Sequence, residues 1–179
     1  MRIQAVCIAV TLAVAASCTD RAGSPAEVDL VTVPLFSGVG EGDSGSFRAH
    51  AHGGEEVPPV DTGAQGQAIF RLSEDGDEIS YKVIVANIVD VTQSHIHLAP
   101  AGVNGGIVVW LYPSAPPAQL IPGRSQGVLA EGVITEEDLV GGLADMDLEA
   151  LLDALRTGGA YVNVHTVANP PGEIRGQVR

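Results

Sequence analysis

Gln67-Ala68-Ile69-Phe70-Arg71-Leu72, Glu74-Asp75-Gly76-Asp77 and Ile79-Ser80-Tyr81-Lys82-Val83-Ile84-Val85-Ala86-Asn87-Ile88 follow one another along the chain. Two runs rich in apolar and β-branched residues flank a short polar segment containing glycine, which is the signature of a β-hairpin. The same rhythm recurs on both sides. Phe47 to Ala51 precedes the hairpin, and Ser94 to Leu98, Ile107 to Tyr112, Gly127 to Ile134, Tyr161 to Thr166 and Glu173 to Val178 follow it, with Asn104-Gly105-Gly106 as another sharp reversal. About eight strands at this spacing predict an all-β domain, a Greek-key β-sandwich or barrel. One short helix interrupts the series near the C-terminal third. Leu148, Leu151, Leu152 and Leu155 recur at helical spacing after a capping Asp147 or Asp145, and Gly158-Gly159 supplies a left-handed stop. This leucine stripe reads as core packing.

The 179 residues suffice for one domain with a real core, and 45% hydrophobic content with only 4% aromatics and 22 glycines suits valine-rich strands joined by tight turns. A formal net charge of −13 leaves no basic surface of the kind nucleic acid requires. An acidic surface is compatible with solubility or with cation attraction.

Arg2, an apolar stretch from Ala5 to Ala16 and then Ala15-Ala16-Ser17-Cys18 read as an export signal over residues 1–17, too short for a comfortable membrane span. Ala15 to Cys18 resembles a bacterial lipobox, in which the cysteine is acylated and becomes the first mature residue. Ala15 stands where that motif usually has leucine. The expectation is a cell-envelope lipoprotein, periplasmic or on the outer surface, touching the membrane only through a lipid on Cys18, with plain secretion as the alternative. Cleavage before Cys18 leaves no disulfide, because Cys7 lies inside the leader. Residues 18–45 are rich in Gly, Ser, Asp and Glu around an apolar patch from Val28 to Phe36 and read as a flexible tether. The ordered domain is expected over residues 46–179.

Three of the five histidines fall inside strand-like segments, as Ser94-His95-Ile96-His97-Leu98 and Tyr161-Val162-Asn163-Val164-His165-Thr166. Side chains two apart in a strand share a face, so His95 and His97 point away from Ile96 and Leu98. Tyr161, Asn163 and His165 likewise point away from Val162, Val164 and Thr166. Both sets are thereby excluded from the hydrophobic core and available as surface ligands. A pair at i and i+2 sets two imidazoles about 6 to 7 Å apart, a spacing that chelates one ion if another strand adds a ligand. His165 is the natural third, and Glu173 in the Pro-Pro-Gly-Glu loop is the nearest carboxylate in sequence, with Glu56 before Pro58-Pro59 as a second. Imidazole with carboxylate accommodates one zinc or copper ion, and also nickel or iron. Such an ion leaves as its histidines protonate near pH 6.5. The alternative is a hydrogen-bonded polar network that uses the same residues without metal. His50 and His52, opposite the apolar Phe47, Ala49 and Ala51, read as exposed strand residues. Arg175 and Gln177 share the phase of Glu173, so they either recognise an anion or hold Glu173 by a salt bridge.

Phe-Arg-Ala-His-Ala-His-Gly-Gly-Glu-Glu-Val-Pro-Pro-Val from Phe47, His95-Ile96-His97, Asn163-Val164-His165-Thr166 and Gly172-Glu173-Ile174-Arg175-Gly176-Gln177-Val178 occur in that order. Together they closely resemble the CHRD domain, named after chordin, over about residues 46 to 179. The resemblance implies a β-sandwich module of bacterial exported proteins and of chordin, an extracellular regulator of growth-factor signalling. The pattern is also distantly similar to copper–zinc superoxide dismutase, a Greek-key barrel with metals on the outer face of its sheet, and His95-Ile96-His97 looks like that enzyme's first ligand pair. Its two-metal centre needs six histidines and an aspartate, which five histidines cannot reproduce.

Ser94 and His95, as strand neighbours, face opposite ways and make no nucleophile–base pair. Glu55 and Glu56 are adjacent in sequence, which is not the geometry of a glycosidase cleft. Two classes remain. The first is an exported binding or scaffold module with an extracytoplasmic protein or surface ligand as partner, and with one metal ion clamping its loops. The second is a superoxide dismutase-like or other metal-dependent extracytoplasmic enzyme. With no general base, nucleophile or cofactor motif beside the histidines, the first is favoured.

Overall fold

The computed structural model describes residues 45–179, so the leader, the acylation motif at Cys18 and the tether lie outside the described residues. The described part is all-β with one α-helix. The strands are β1 (Ser46–His52), β2 (Gln65–Leu72), β3 (Ile79–Leu98), β4 (Gly106–Tyr112), β5 (Ile121–Ile134), β6 (Ala160–Thr166) and β7 (Ile174–Gln177), with α1 (Leu148–Thr157) between β5 and β6. Every strand pairing is antiparallel.

The count is seven strands rather than eight, because the predicted runs Ile79–Ile88 and Ser94–Leu98 form one 20-residue strand. Asn87 and Asp90, near the junction of the two runs, adopt positive φ, at 58° and 53°. They bend the strand instead of ending it. Asn and Asp tolerate this conformation better than other side-chain-bearing residues, and the Asp90 carboxylate accepts the Gly123 N–H at 2.6 Å, so the kink is bonded across to β5. The long strand serves two neighbourhoods. Its first half lies between β2 and β5, and its second half between β4 and β6.

The order β2-β1-β7-β6-β3, with β3 returning to β2, closes the barrel. The last seam is the β1–β7 pair, where Arg48 and Arg179 exchange backbone hydrogen bonds at 2.7 and 2.9 Å. Gly176 is required there, because a Cβ would collide with the His50 carbonyl. Closure leaves an inner face and an outer face on each strand. β1 alternates cleanly, with Phe47, Ala49 and Ala51 buried and Arg48, His50 and His52 exposed. The inner face packs with Leu148, Leu151, Leu152 and Leu155 of α1 in one apolar cluster. Asp147 caps α1 by accepting the Ala150 N–H, and Gly158 ends it at φ 68°, as the sequence predicted.

Candidate metal centre

The phase of β3 and β6 builds the site. Ile96, Val162 and Val164 enter the apolar core, which turns His95, His97, Tyr161, Asn163 and His165 to the opposite face. Register then brings them together, with His95 opposite Asn163, His97 opposite Tyr161 and Gln93 opposite His165. One ring nitrogen from each of His95, His97 and His165 can be chosen so that all lie within 4.8 Å of one another. His50 and His52 stay exposed and apart from this group.

The reading of these residues as surface ligands needs correction. His95, His97 and His165 are only 0, 7 and 5% exposed. Loops cover the outer face here, and their carbonyls reach the imidazoles. His97 Nδ1 lies 3.0 Å from the Gly105 carbonyl and His165 Nδ1 lies 2.8 Å from that of Pro170. The single tryptophan, Trp110 on β4, packs edge-on against the His95 ring at 4.3 Å.

These contacts assign the protons. A carbonyl only accepts, so Nδ1 of His97 and of His165 must each carry hydrogen, leaving lone pairs at both Nε2 atoms. His165 Nε2 then accepts from His95 Nδ1 at 3.1 Å. That in turn leaves a lone pair on His95 Nε2. The Nε2 atoms of His95 and His97 are buried without any hydrogen-bond partner.

Neighbouring side chains fix the rings. His97 stacks on Tyr161 at 4.9 Å with 9° between planes, and the Arg175 guanidinium sits 3.4 Å from the Tyr161 ring centroid. Arg175 does not hold Glu173. It donates instead to the carbonyls of Pro100 and Val103 at 3.2 and 2.9 Å and to Asn104 Oδ1 at 3.3 Å, fastening the loop that carries Gly105. Gln177 joins it by donating to the Ala99 carbonyl at 2.9 Å. Glu173 is turned to other partners. Its carboxylate accepts from Thr62 and Thr166 hydroxyls, both at 2.7 Å, and from Asn169 Nδ2 at 3.2 Å, so it is not brought together with the three imidazoles. Trp110 and Tyr161 were not among the expected site residues, and Arg175 has partners other than the expected Glu173. Only Tyr161 carried a signal, its shared phase with His165.

The CHRD domain family model matches residues 47–178 of the chain. The chain belongs to the CHRD domain family. Chordin from Xenopus laevis is 32% identical over 126 residues, which cover 68% of this chain and 12% of chordin, so the match spans a small part of that relative's length. No solved structure matches this chain.

In this CHRD domain burial sets the protonation of the site. It pushes the His95 imidazole from its ordinary 6.5 down to about 3, helped by His165 and His97 nearby. Burial takes His165 to about 4 against the opposing pull of the Pro170 carbonyl, and it lowers His97 as well. Proton competition at His95 and His165 is thereby moved well below pH 6.5, and at His97 in the same direction. The unfolded chain takes up these protons near 6.5 and the folded one does not, so folding weakens as pH falls from about 6.5 toward 3. Glu56 acts in the opposite sense. Burial outweighs the nearby Arg175 and raises its carboxyl from 4.5 to about 7, so its contribution is full below 4.5 and is lost as pH rises through 7. Three imidazoles outweigh one carboxyl between these limits. Denaturant midpoints of the metal-free chain should therefore fall steadily from pH 6.5 to pH 4.5, and a flat profile there would contradict neutral burial of the histidines.

Proposed function

We propose that this chain is an exported CHRD binding module, anchored at the cell envelope through Cys18, whose covered outer face holds one zinc or copper ion on His95, His97 and His165. The observation that carries the metal reading is a buried surplus of lone pairs. His95 Nε2 and His97 Nε2 have no donor, and a buried acceptor left unpaired costs about 1–3 kcal/mol. One cation relieves several such atoms at once. One ring nitrogen from each of the three imidazoles lies within 4.8 Å of the others, a spread that one ion at about 2.0–2.1 Å, the usual zinc–imidazole distance, can span with small shifts of the rings. Backing of His97 and His165 by carbonyls is the support that orients metal-bound imidazoles.

The same geometry favours a clamp. An ion on these rings ties β3 to β6 and, through Gly105 and Pro170, to the two loops above them. Binding of a partner then falls to the exposed acidic surface of the module, which suits a cationic face on an extracytoplasmic protein or surface ligand. The CHRD match to part of chordin supports a module of this kind.

The full chain, recovered from the membrane fraction without chelator or nickel resin, should carry about one zinc or copper ion by elemental analysis. A chain that stays metal-free after incubation with both metals would refute the ion, and one found only in the soluble fraction would refute the anchor.

A further inference from the structure

Among the described residues, five buried side-chain atoms have no hydrogen-bond partner: Glu56 Oε1, His95 Nε2, His97 Nε2, Asn163 Oδ1 and Gln177 Oε1. With the protons placed as above, the two ring nitrogens and Asn163 Oδ1 are all acceptors. Asn163 is 2% exposed and stands on β6 two residues before His165, opposite His95 in register. Its side chain lies near enough to His97 to favour the charged form of that ring, against the larger effect of burial. His97 Nε2 and Asn163 Oδ1 are both left without a hydrogen-bond partner, because the His97 proton sits on Nδ1 toward Gly105.

The other end of the amide is also constrained. A Cβ at Gly172 would lie 2.9 Å from Asn163 Nδ2 and would collide with Glu56 Oε1, which places Nδ2 and that carboxyl oxygen on the Gly172 side. Turning the amide over would give His97 a donor but would set Asn163 Oδ1 on the side of Glu56 Oε1, an acceptor whenever that carboxyl is ionised. One acceptor conflict replaces another, and a cation beside His97 Nε2 and Asn163 Oδ1 removes the first without creating the second. Glu173, the carboxylate that could have competed for this role, has both oxygens engaged by Thr62, Thr166 and Asn169.

We infer that Asn163 supplies the oxygen donor of the centre, its Oδ1 completing a set of three imidazole nitrogens and one neutral oxygen around a divalent ion. The inference rests on the metal reading above. Such a set lacks the soft sulfur that selects Cu(I) and suits zinc or Cu(II).

The test is zinc titration calorimetry and the electron paramagnetic resonance spectrum of added Cu(II), on the full chain and on Asn163→Leu, Asn163→Asp and His97→Ala. Asn163→Leu should weaken zinc binding by at least the roughly 10- to 100-fold typical of an outer partner and, as the mark of a lost direct donor, alter the Cu(II) spectrum. Asn163→Asp keeps the size of the side chain and places an anionic oxygen at the same point, so it should bind zinc more tightly and shift the spectrum in its own way. Should the leucine variant fail to fold, the aspartate variant decides. Wild-type affinity and an unchanged spectrum in the Asn163 variants, alongside loss of binding in His97→Ala, would overturn the role of Asn163 and leave the imidazoles as the ligands. Absence of binding by the unaltered chain would overturn the metal reading itself.

Discussion

Alanine in place of His95, His97 or His165, each alone, should lower zinc or copper affinity by more than about 100-fold, beyond the 10- to 100-fold typical of losing an outer partner. His50→Ala should change nothing, because His50 is exposed on β1 and stands apart from the three. The three effects should also be non-additive, since the nitrogens within 4.8 Å of one another serve one ion. Trp110 reports the event directly. Its ring is 4.3 Å from His95, so Cu(II) at the centre should quench the only tryptophan fluorescence of the chain, and each alanine variant should abolish quenching at stoichiometric copper. Three variants that each retain part of the binding would refute a single site.

Arg175→Met should be the most damaging single change to stability outside the apolar core. Arg175 is 1% exposed, and its removal takes the guanidinium from the Val103 carbonyl, Asn104 Oδ1 and the face of Tyr161, and leaves the Pro100 carbonyl with the Val103 N–H alone. Pro100, Val103 and Asn104 are themselves exposed, so water can replace part of what their oxygens lose, and the buried Arg175 stem and its stacking on Tyr161 carry the rest, for an expected loss of about 2 kcal/mol. Urea denaturation gives the number. Arg175→Lys should recover only a fraction, because an ammonium cannot reproduce the guanidinium fork or its stacking on the ring. A methionine variant within about 0.5 kcal/mol of the parent would mean that the 99–105 loop is held by other contacts. The same substitution should loosen Gly105 and so weaken metal binding, linking the stability of the loop to the centre beneath it.

The alternation of β1, the hairpin at Glu74–Asp77, the leucine stripe of α1 and the outward phase of His95, His97 and His165 were all legible in the chain, because period and turn chemistry are local properties. The joining of two predicted strands into β3 was not legible. Asn87 and Asp90 take the backbone conformation of a turn, yet pairing of β3 with β5 on one side and with β2 and then β6 on the other carries the strand through the kink.

For the site, sequence spacing alone determined which side chains leave the apolar core, since a strand offers only two faces. Only the tertiary structure decided that this outer face is covered, that Pro170 and Gly105 fix the ring protons, that Glu173 goes to Thr62, Thr166 and Asn169, and that Arg175 fastens a loop. Those contacts join residues far apart in the chain, and barrel closure brings them within hydrogen-bond range. Alternation specifies direction, whereas partners depend on register and on the loops folded above the sheet.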